Sequence, residues 1–93
     1  MKIFFSSQAK SDLVDIVEFI AEDNLPAAKK WVVSVKSYIN RLENFPQLGR
    51  VVPEFSDESI REIINGKYRI VYKIDEKNKV IIILTIHHSK QKL

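Results

Sequence analysis

The sequence of 93 residues contains no cysteine, and glycine occurs only at positions 49 and 66. Without cysteine there is no disulfide, no thiolate nucleophile and no cysteine-ligated zinc, which fits a reducing compartment. Two glycines are too few for a glycine-rich phosphate-binding loop. No apolar run approaches the roughly 18 residues that a transmembrane helix needs, and the N-terminus lacks the features of a signal peptide. We therefore expect a cytoplasmic protein without membrane contacts.

What is present is the composition of a small globular protein, with 45% hydrophobic and 29% charged residues. The length predicts one domain over residues 1–93. The charge is uneven, because residues 59–93 carry 8 basic and 3 acidic side chains whereas residues 1–58 carry 7 basic and 9 acidic ones. This asymmetry indicates an anionic partner for the C-terminal third, and the alternative is a lysine-rich solvated surface.

The first half of the chain predicts a short strand and two helices. Residues 2–5 are apolar enough for a strand. Either Ser6 or Ser7 can cap a helix over residues 7–22, in which apolar side chains recur at helical spacing. Asn24 can cap a second amphipathic helix over residues 25–44. Because the connection is so short, the two helices should form an antiparallel hairpin.

The second half predicts three strands after an ordered loop at residues 46–58. The strands are residues 59–64, 67–74 and 80–87, and Asn65-Gly66 is a strong hairpin signal between the first two. The predicted order is therefore β-α-α-β-β-β. We predict an α+β domain in which the helical hairpin packs on one face of a mainly antiparallel, twisted sheet.

A two-residue turn at Asn65-Gly66 would pair Glu62 with Arg69, and a turn at 75–79 would pair Ile74 with Val80. The face covered by the helices would then hold Ile63, Tyr68, Ile70, Tyr72 and Ile74. The opposite face would gather Glu62, Lys67, Arg69, Thr85 and His87. A shift of one residue would move the whole set to the other face.

The second face is predicted to be an open, basic groove that contains a carboxylate and an imidazole. The alternative is that Glu62 and Arg69 form an ordinary cross-strand ion pair, worth well under about 1 kcal/mol. His87 and His88 are adjacent and point to opposite faces, so no metal or cofactor site is expected.

Taken together, "FPQLGRVVPEF", "SIREIINGKYRIVYKI" and "VIIILTIHH" resemble the RelE/ParE superfamily of type II toxin–antitoxin toxins. The resemblance runs from "QAKSDLVDIVEFIA" onward and implies a growth-inhibiting toxin with the β-α-α-β-β-β fold. It also implies one of two targets. RelE-like members cleave mRNA on the ribosome without metal, and ParE-like members inhibit DNA gyrase.

The residues that match this superfamily favour its ParE-like branch. Arg69 matches the arginine after the strand tyrosine in both branches, and Arg61 matches the "RE" motif common in ParE-like chains. His87 or His88 matches a histidine near the end of many ParE-like chains and of some nucleases. The tail "HHSKQKL" lacks the arginine and tyrosine of the nuclease motif. Whether the protein is an enzyme stays open, with the endoribonuclease as the alternative. Cleavage of RNA through its 2′-hydroxyl would use Glu62 or His87 as the base, Arg69 and Arg61 to hold the phosphate, and a histidine as the acid.

The resemblance implies a cognate antitoxin, which we expect to be small and to have an acidic C-terminal half that folds on binding and covers Arg69. Candidate contacts to the antitoxin or to the target are Arg50, Arg61, Lys67, Arg69, Lys73 and Lys90. A nontoxic basic binding module remains the third interpretation. Neither the antitoxin's identity nor the free oligomeric state follows from the sequence.

Overall fold

The computed structural model describes residues 1–89 and confirms the α+β fold, with one short strand added to the predicted order. Lys90, a candidate contact residue, lies outside the described residues. The helices are α1 (Ser7–Asp23) and α2 (Leu25–Leu42). The strands are β1 (Lys2–Phe5), β2 (Arg50–Val51), β3 (Ile60–Asn65), β4 (Tyr68–Asp75) and β5 (Val80–His88). The added strand, β2, lies within the predicted loop.

The strands form one five-stranded sheet in the order β1-β5-β4-β3-β2. The predicted antiparallel pairing of β3 with β4 and of β4 with β5 is confirmed, and β2 pairs antiparallel with β3. β1 pairs in parallel with β5, from Lys2 opposite Val80 to Phe5 opposite Ile83. A parallel pair needs a long crossover, and the helices lie within the chain that joins these strands.

Side-chain caps at Ser6 and Asn24 start the two helices, as the sequence predicts. The Ala9 amide donates to Ser6 Oγ at 2.9 Å, and the Ala27 amide donates to Asn24 Oδ1 at 3.0 Å. Ser6 Oγ also donates to the Leu84 carbonyl at 2.7 Å, which fixes the start of α1 beside β5. Within residues 1–89, neither helix is long and apolar enough to cross a membrane.

The core lies between the helical hairpin and one face of the sheet. Its buried side chains come from both helices and from the three long strands: Ala9, Val35, Ile39, Leu42, Ile63, Ile70, Tyr72, Ile74, Ile81, Ile83 and Ile86. The predicted covered face of β4 is thereby confirmed. Trp31 of α2 meets Tyr68 edge to face, with 5.3 Å between the ring centroids.

The predicted register between β3 and β4 is wrong by two residues. Asn65 lies opposite Tyr68, so the turn residues are Gly66 and Lys67, and Glu62 lies opposite Val71 instead of Arg69. Gly66 supplies the positive φ of 61° that the turn needs. Because side chains alternate with a period of two, this shift leaves each residue on its predicted face.

The predicted register between β4 and β5 fails for a different reason, which is a β-bulge. Ile83 lies opposite Tyr72 and Thr85 lies opposite Val71, so Leu84 has no residue opposite it. The extra residue reverses the alternation along β5. Before the bulge, Ile81 and Ile83 therefore face the core, contrary to the prediction. After the bulge, Thr85 and His87 lie on the predicted second face.

The segment from Phe45 to Phe55, predicted as a loop, is held to the sheet by Tyr72. The Tyr72 hydroxyl donates to the Pro46 carbonyl at 2.7 Å and accepts from the Gly49 amide at 2.8 Å. Gly49 itself lies against β3, because a Cβ atom built there would come within 2.6 Å of the Glu62 carbonyl oxygen. A side chain at position 49 would therefore push the segment away from the sheet.

Gly49→Ala is expected to lower the free energy of unfolding by about 2 kcal/mol, in the range for overpacking at a tight contact. The matched control is Gly66→Asn, because nothing lies within 4 Å of a Cβ atom at Gly66 and asparagine tolerates its positive φ. Urea unfolding of both variants tests this difference. A Gly49→Ala variant that unfolds at the wild-type midpoint would contradict the close approach.

Candidate functional site

The candidate site is centred on Glu62, whose carboxylate accepts hydrogen bonds from two arginines. Arg69 Nε donates to Oε1 at 2.6 Å, and Arg69 Nη2 contacts the same oxygen. Arg50 Nε and Nη2 both lie 2.7 Å from Oε2. Because Glu62 lies in β3, Arg50 in β2 and Arg69 in β4, the cluster joins three adjacent strands.

The prediction of an open groove around this cluster is wrong. The ion pair of the alternative is present between Glu62 and Arg69, but it is buried and therefore not an ordinary surface pair. Glu62 is 1% exposed and Arg69 is 8% exposed, and Val71 between them is also buried. Only the Arg50 side chain, at 68% exposure, reaches solvent. Because one carboxylate neutralises one of two guanidinium groups, the cluster keeps one net positive charge, and that charge faces solvent at Arg50.

His87 lies directly opposite Arg69 in the sheet, as part of the predicted group. Burial, with a further contribution from the Arg69 guanidinium, lowers the pKa of His87 below its usual value. Its Nε2 atom is buried and has no hydrogen-bond partner among the described residues. The neutral imidazole is therefore the favoured form in the folded protein.

The free edge of β5 beside His87 is closed by Asp12 of α1. Asp12 Oδ2 accepts from Thr85 Oγ1 at 2.8 Å and from the Ile86 amide at 3.0 Å. β1 pairs with this edge only as far as Ile83, so the Ile86 amide has no partner within the sheet. The Asp12 carboxylate accepts the hydrogen bond of this amide instead. Spacing along the sequence does not reveal this contact, because Asp12 is more than 70 residues away from Thr85 and Ile86 in the chain.

Arg61 does not join the cluster. It lies opposite Tyr72, on the helix-covered face of β3, and its Nη1 donates to the Gly49 carbonyl at 2.9 Å. Arg61 is the neighbour of Glu62 in β3, and adjacent residues of a strand point to opposite faces. Arg61 and Arg69 therefore lie on opposite faces of the sheet and cannot hold one phosphate between them. Arg61 instead helps Tyr72 to hold the segment that carries Arg50.

The remaining candidates lie around the cluster rather than in it. Lys67 is exposed in the β3–β4 turn, and its carbonyl accepts from the Ser89 amide at 2.6 Å. Lys73 is exposed further along β4, opposite Ile60. His88 lies opposite Tyr68, with 5.7 Å between the ring centroids.

This geometry suits binding better than acid–base catalysis. Both oxygens of Glu62 accept from guanidinium groups, so this carboxylate is poorly placed to take a proton from a substrate. His87 has one nitrogen buried, and Arg69, itself buried, directs Nε and Nη2 to Glu62. Arg50 is the exposed member of the cluster and can offer its remaining donors to a partner. The catalytic assignments to Arg61, Glu62, Arg69, His87 and His88 stay predictions.

Comparisons with known proteins agree on one kind of protein. The family model described as "ParE toxin of type II toxin-antitoxin system, parDE" matches residues 3–93. A solved structure of the chromosomal ParDE system of P. aeruginosa is 19% identical, with a TM-score of 0.74 and 95% of each chain covered. The RelBE2 toxin–antitoxin complex of Mycobacterium tuberculosis is 22% identical, with a TM-score of 0.60, covering 94% of this chain and 95% of that chain.

The intact RelBE complex of E. coli is also similar, at 11% identity and a TM-score of 0.66, covering 97% of this chain and 98% of that chain. At these identities the structural likeness establishes the fold. The comparison with curated proteins finds no match.

Removing Arg69 is expected to destabilise the protein far more than removing Arg50, although both pair with Glu62. Arg69→Ala leaves a buried carboxylate with one partner and should cost about 3 kcal/mol of unfolding free energy. Arg50→Ala removes an exposed partner and should cost about 0–1 kcal/mol. Urea unfolding of both variants measures the difference. Equal and small losses would mean that the Glu62 site is open to water.

The histidine at position 87 should contribute to stability at neutral pH and not in acid. Its pKa is lower in the folded chain than the ordinary value of 6.5. The contribution is therefore fully present above pH 6.5 and is lost as the pH falls through the folded-state pKa. His87→Gln should reduce the loss of thermal stability on acidification below pH 6.5. An unchanged pH profile in that variant would contradict the burial of the imidazole.

Proposed function

Since the chain belongs to the ParE toxin family, it is the toxin of a type II toxin–antitoxin system, and we propose that it inhibits DNA gyrase in the cytoplasm. The family match over residues 3–93 carries the proposal. The geometry around Glu62 supports it, because a toxin that acts by binding a protein needs an accessible, fixed surface and no acid–base pair. Arg50 provides a fixed cation on such a surface.

The alternative is ribosome-dependent cleavage of mRNA, the activity that the resemblance implies for RelE-like members; the RelBE complexes share the fold of this chain. Cleavage through a 2′-hydroxyl requires a base, an acid and free donors for the phosphate. Among residues 1–89, the two groups predicted as base are a carboxylate held by two arginines and a partly buried histidine. A nontoxic binding module is the third possibility, and no feature of the described residues favours it over the two others.

We also propose a small antitoxin with an acidic C-terminal half as the partner of this chain. The similar structures are described as toxin–antitoxin systems or complexes. The outer side of the helical hairpin offers an apolar groove, lined by Val17, Leu25, Ala28, Lys29, Val32 and Val33. An amphipathic helix of the antitoxin would cover this groove, and acidic residues of the chain beyond that helix would wrap the sheet and meet Lys67 and Lys73. Because Arg69 is buried, it is not the principal contact that the sequence suggests.

Induction of the chain should arrest growth, and co-expression of a small acidic protein encoded beside it should restore growth. In a purified system, the toxin should inhibit gyrase supercoiling at micromolar concentration or below, because specific protein interfaces commonly reach such affinities. The measurement is supercoiling of relaxed plasmid at increasing toxin concentration, with the antitoxin complex as the control.

Two outcomes would contradict the gyrase proposal. One is full supercoiling activity in the presence of toxin that arrests growth in cells. The other is codon-phased cleavage of transcripts in arrested cells, which would establish the nuclease instead. A chain that has no effect on growth when intact and folded would favour the nontoxic module.

A further inference from the structure

The segment Phe45–Arg50, which we call the loop platform, exposes two large apolar side chains and also carries an exposed cation, Arg50. Phe45 is 64% exposed and Leu48 is 46% exposed. Together with Pro46, Gln47 and Glu76 they line one depression of the surface. Arg50 follows Leu48 by two residues. Single exposed apolar residues are common, whereas two that share a depression are more typical of an interaction surface.

The loop platform is held rigidly, although it contains little regular structure. The Leu48 amide donates to the Phe45 carbonyl at 3.0 Å, which closes a single turn. Tyr72 holds the turn at both ends, through Pro46 and Gly49, and Arg61 adds a bond to the Gly49 carbonyl. A surface fixed in this way loses little conformational entropy when it binds a partner.

The charge of the loop platform is fixed as well. Glu62 holds the Arg50 guanidinium by Nε and Nη2 and leaves Nη1 unoccupied by any hydrogen bond within residues 1–89. The carboxylate is shared with the buried Arg69, so it does not cancel the charge of both arginines. The result is a cation with a set direction on the same short segment as the two exposed apolar side chains.

We propose that the loop platform is the surface through which this toxin contacts its target protein, and that Arg50 pairs there with a carboxylate of the target. This inference rests on the proposed function, in which the target is a protein. The composition favours a protein over a nucleic acid, because residues 43–54 contain one basic residue, Arg50, and two acidic ones, Glu43 and Glu54. A phosphate backbone is usually bound by several cations. The hairpin groove, assigned above to the antitoxin, is lined by a different set of residues.

The test is a double variant, Phe45→Thr with Leu48→Thr, compared with Phe4→Thr as the matched control. Phe4 is also a large exposed apolar residue, and it lies in β1, outside both proposed surfaces. All three side chains are exposed, so each variant should fold and melt near the wild-type temperature. Growth arrest on induction and inhibition of gyrase supercoiling are measured for each folded protein. Arg50→Ala is added as a second variant that leaves the apolar pair intact.

The double variant and Arg50→Ala should each require at least about tenfold more toxin for half-inhibition of gyrase, a typical loss for central interface residues. Both should arrest growth less than wild type, whereas Phe4→Thr should behave as wild type. Full activity of the double variant would overturn the proposal. So would a wild-type toxin that is a dimer and a double variant that is a fully active monomer, because the two side chains would then serve self-association. Loss of antitoxin binding with unchanged toxicity would overturn it too.

The two proposals fail separately. If wild-type toxin leaves gyrase untouched but arrests growth, gyrase is the wrong target. Growth arrest of the double variant then decides the role of the loop platform, with retained arrest overturning it and lost arrest supporting it. If the wild-type chain, folded and expressed, arrests nothing, both the toxicity and a target-contact role for the loop platform are wrong.

Discussion

The burial of one carboxylate, Glu62, is the constraint on which the sheet and the candidate site depend. An ionised carboxylate out of contact with water is strongly unfavourable unless charged hydrogen bonds replace its hydration. Glu62 obtains them from Arg69 in β4 on one side and from Arg50 in β2 on the other. The two-residue strand β2 contributes one of these partners, because its pairing with β3 places Arg50 directly opposite Glu62. The same contact sets the direction of the exposed cation, so stability and surface chemistry share one origin.

The elements of the fold could be predicted from the sequence, because helical spacing, caps at Ser6 and Asn24, and alternation in β4 are local signals. The registers could not. Asn65-Gly66 has the sequence of a two-residue turn, yet the chain turns at Gly66-Lys67. The predicted sheet faces of β3 and β4 are nevertheless correct, because the register shift is two residues and side chains alternate with a period of two. The bulge at Leu84 is less visible still, because residues 80–84 are all β-branched or leucine and either phase would bury apolar side chains.

The candidate site shows the same limit for side chains. Alternation predicts that Glu62, Arg69 and His87 share a face, and they do, but it does not predict what covers that face. Burial turned a supposed surface pair into an internal one and lowered the pKa of His87. The contacts of three further residues, Asp12, Gly49 and Tyr72, could not be predicted for a related reason. Each residue contacts a segment that is distant in sequence. The sequence pattern also predicts Tyr72 as an ordinary core residue. Only the tyrosine hydroxyl hints at a polar partner, since a buried hydroxyl needs one.

The same cluster suggests how one fold can serve either binding or catalysis. An arginine that holds a scissile phosphate needs free donors, and a general base needs a carboxylate or imidazole that can take up a proton. In this chain Glu62 occupies the Nε and Nη2 donors of Arg69, and Arg50 and Arg69 together occupy both oxygens of Glu62. The groups thus satisfy one another instead of facing a substrate. A neutral side chain at position 62 would remove the acceptor that holds Nε and Nη2 of both arginines. The charge at this one strand position therefore decides whether the donors of the two arginines are paired within the sheet.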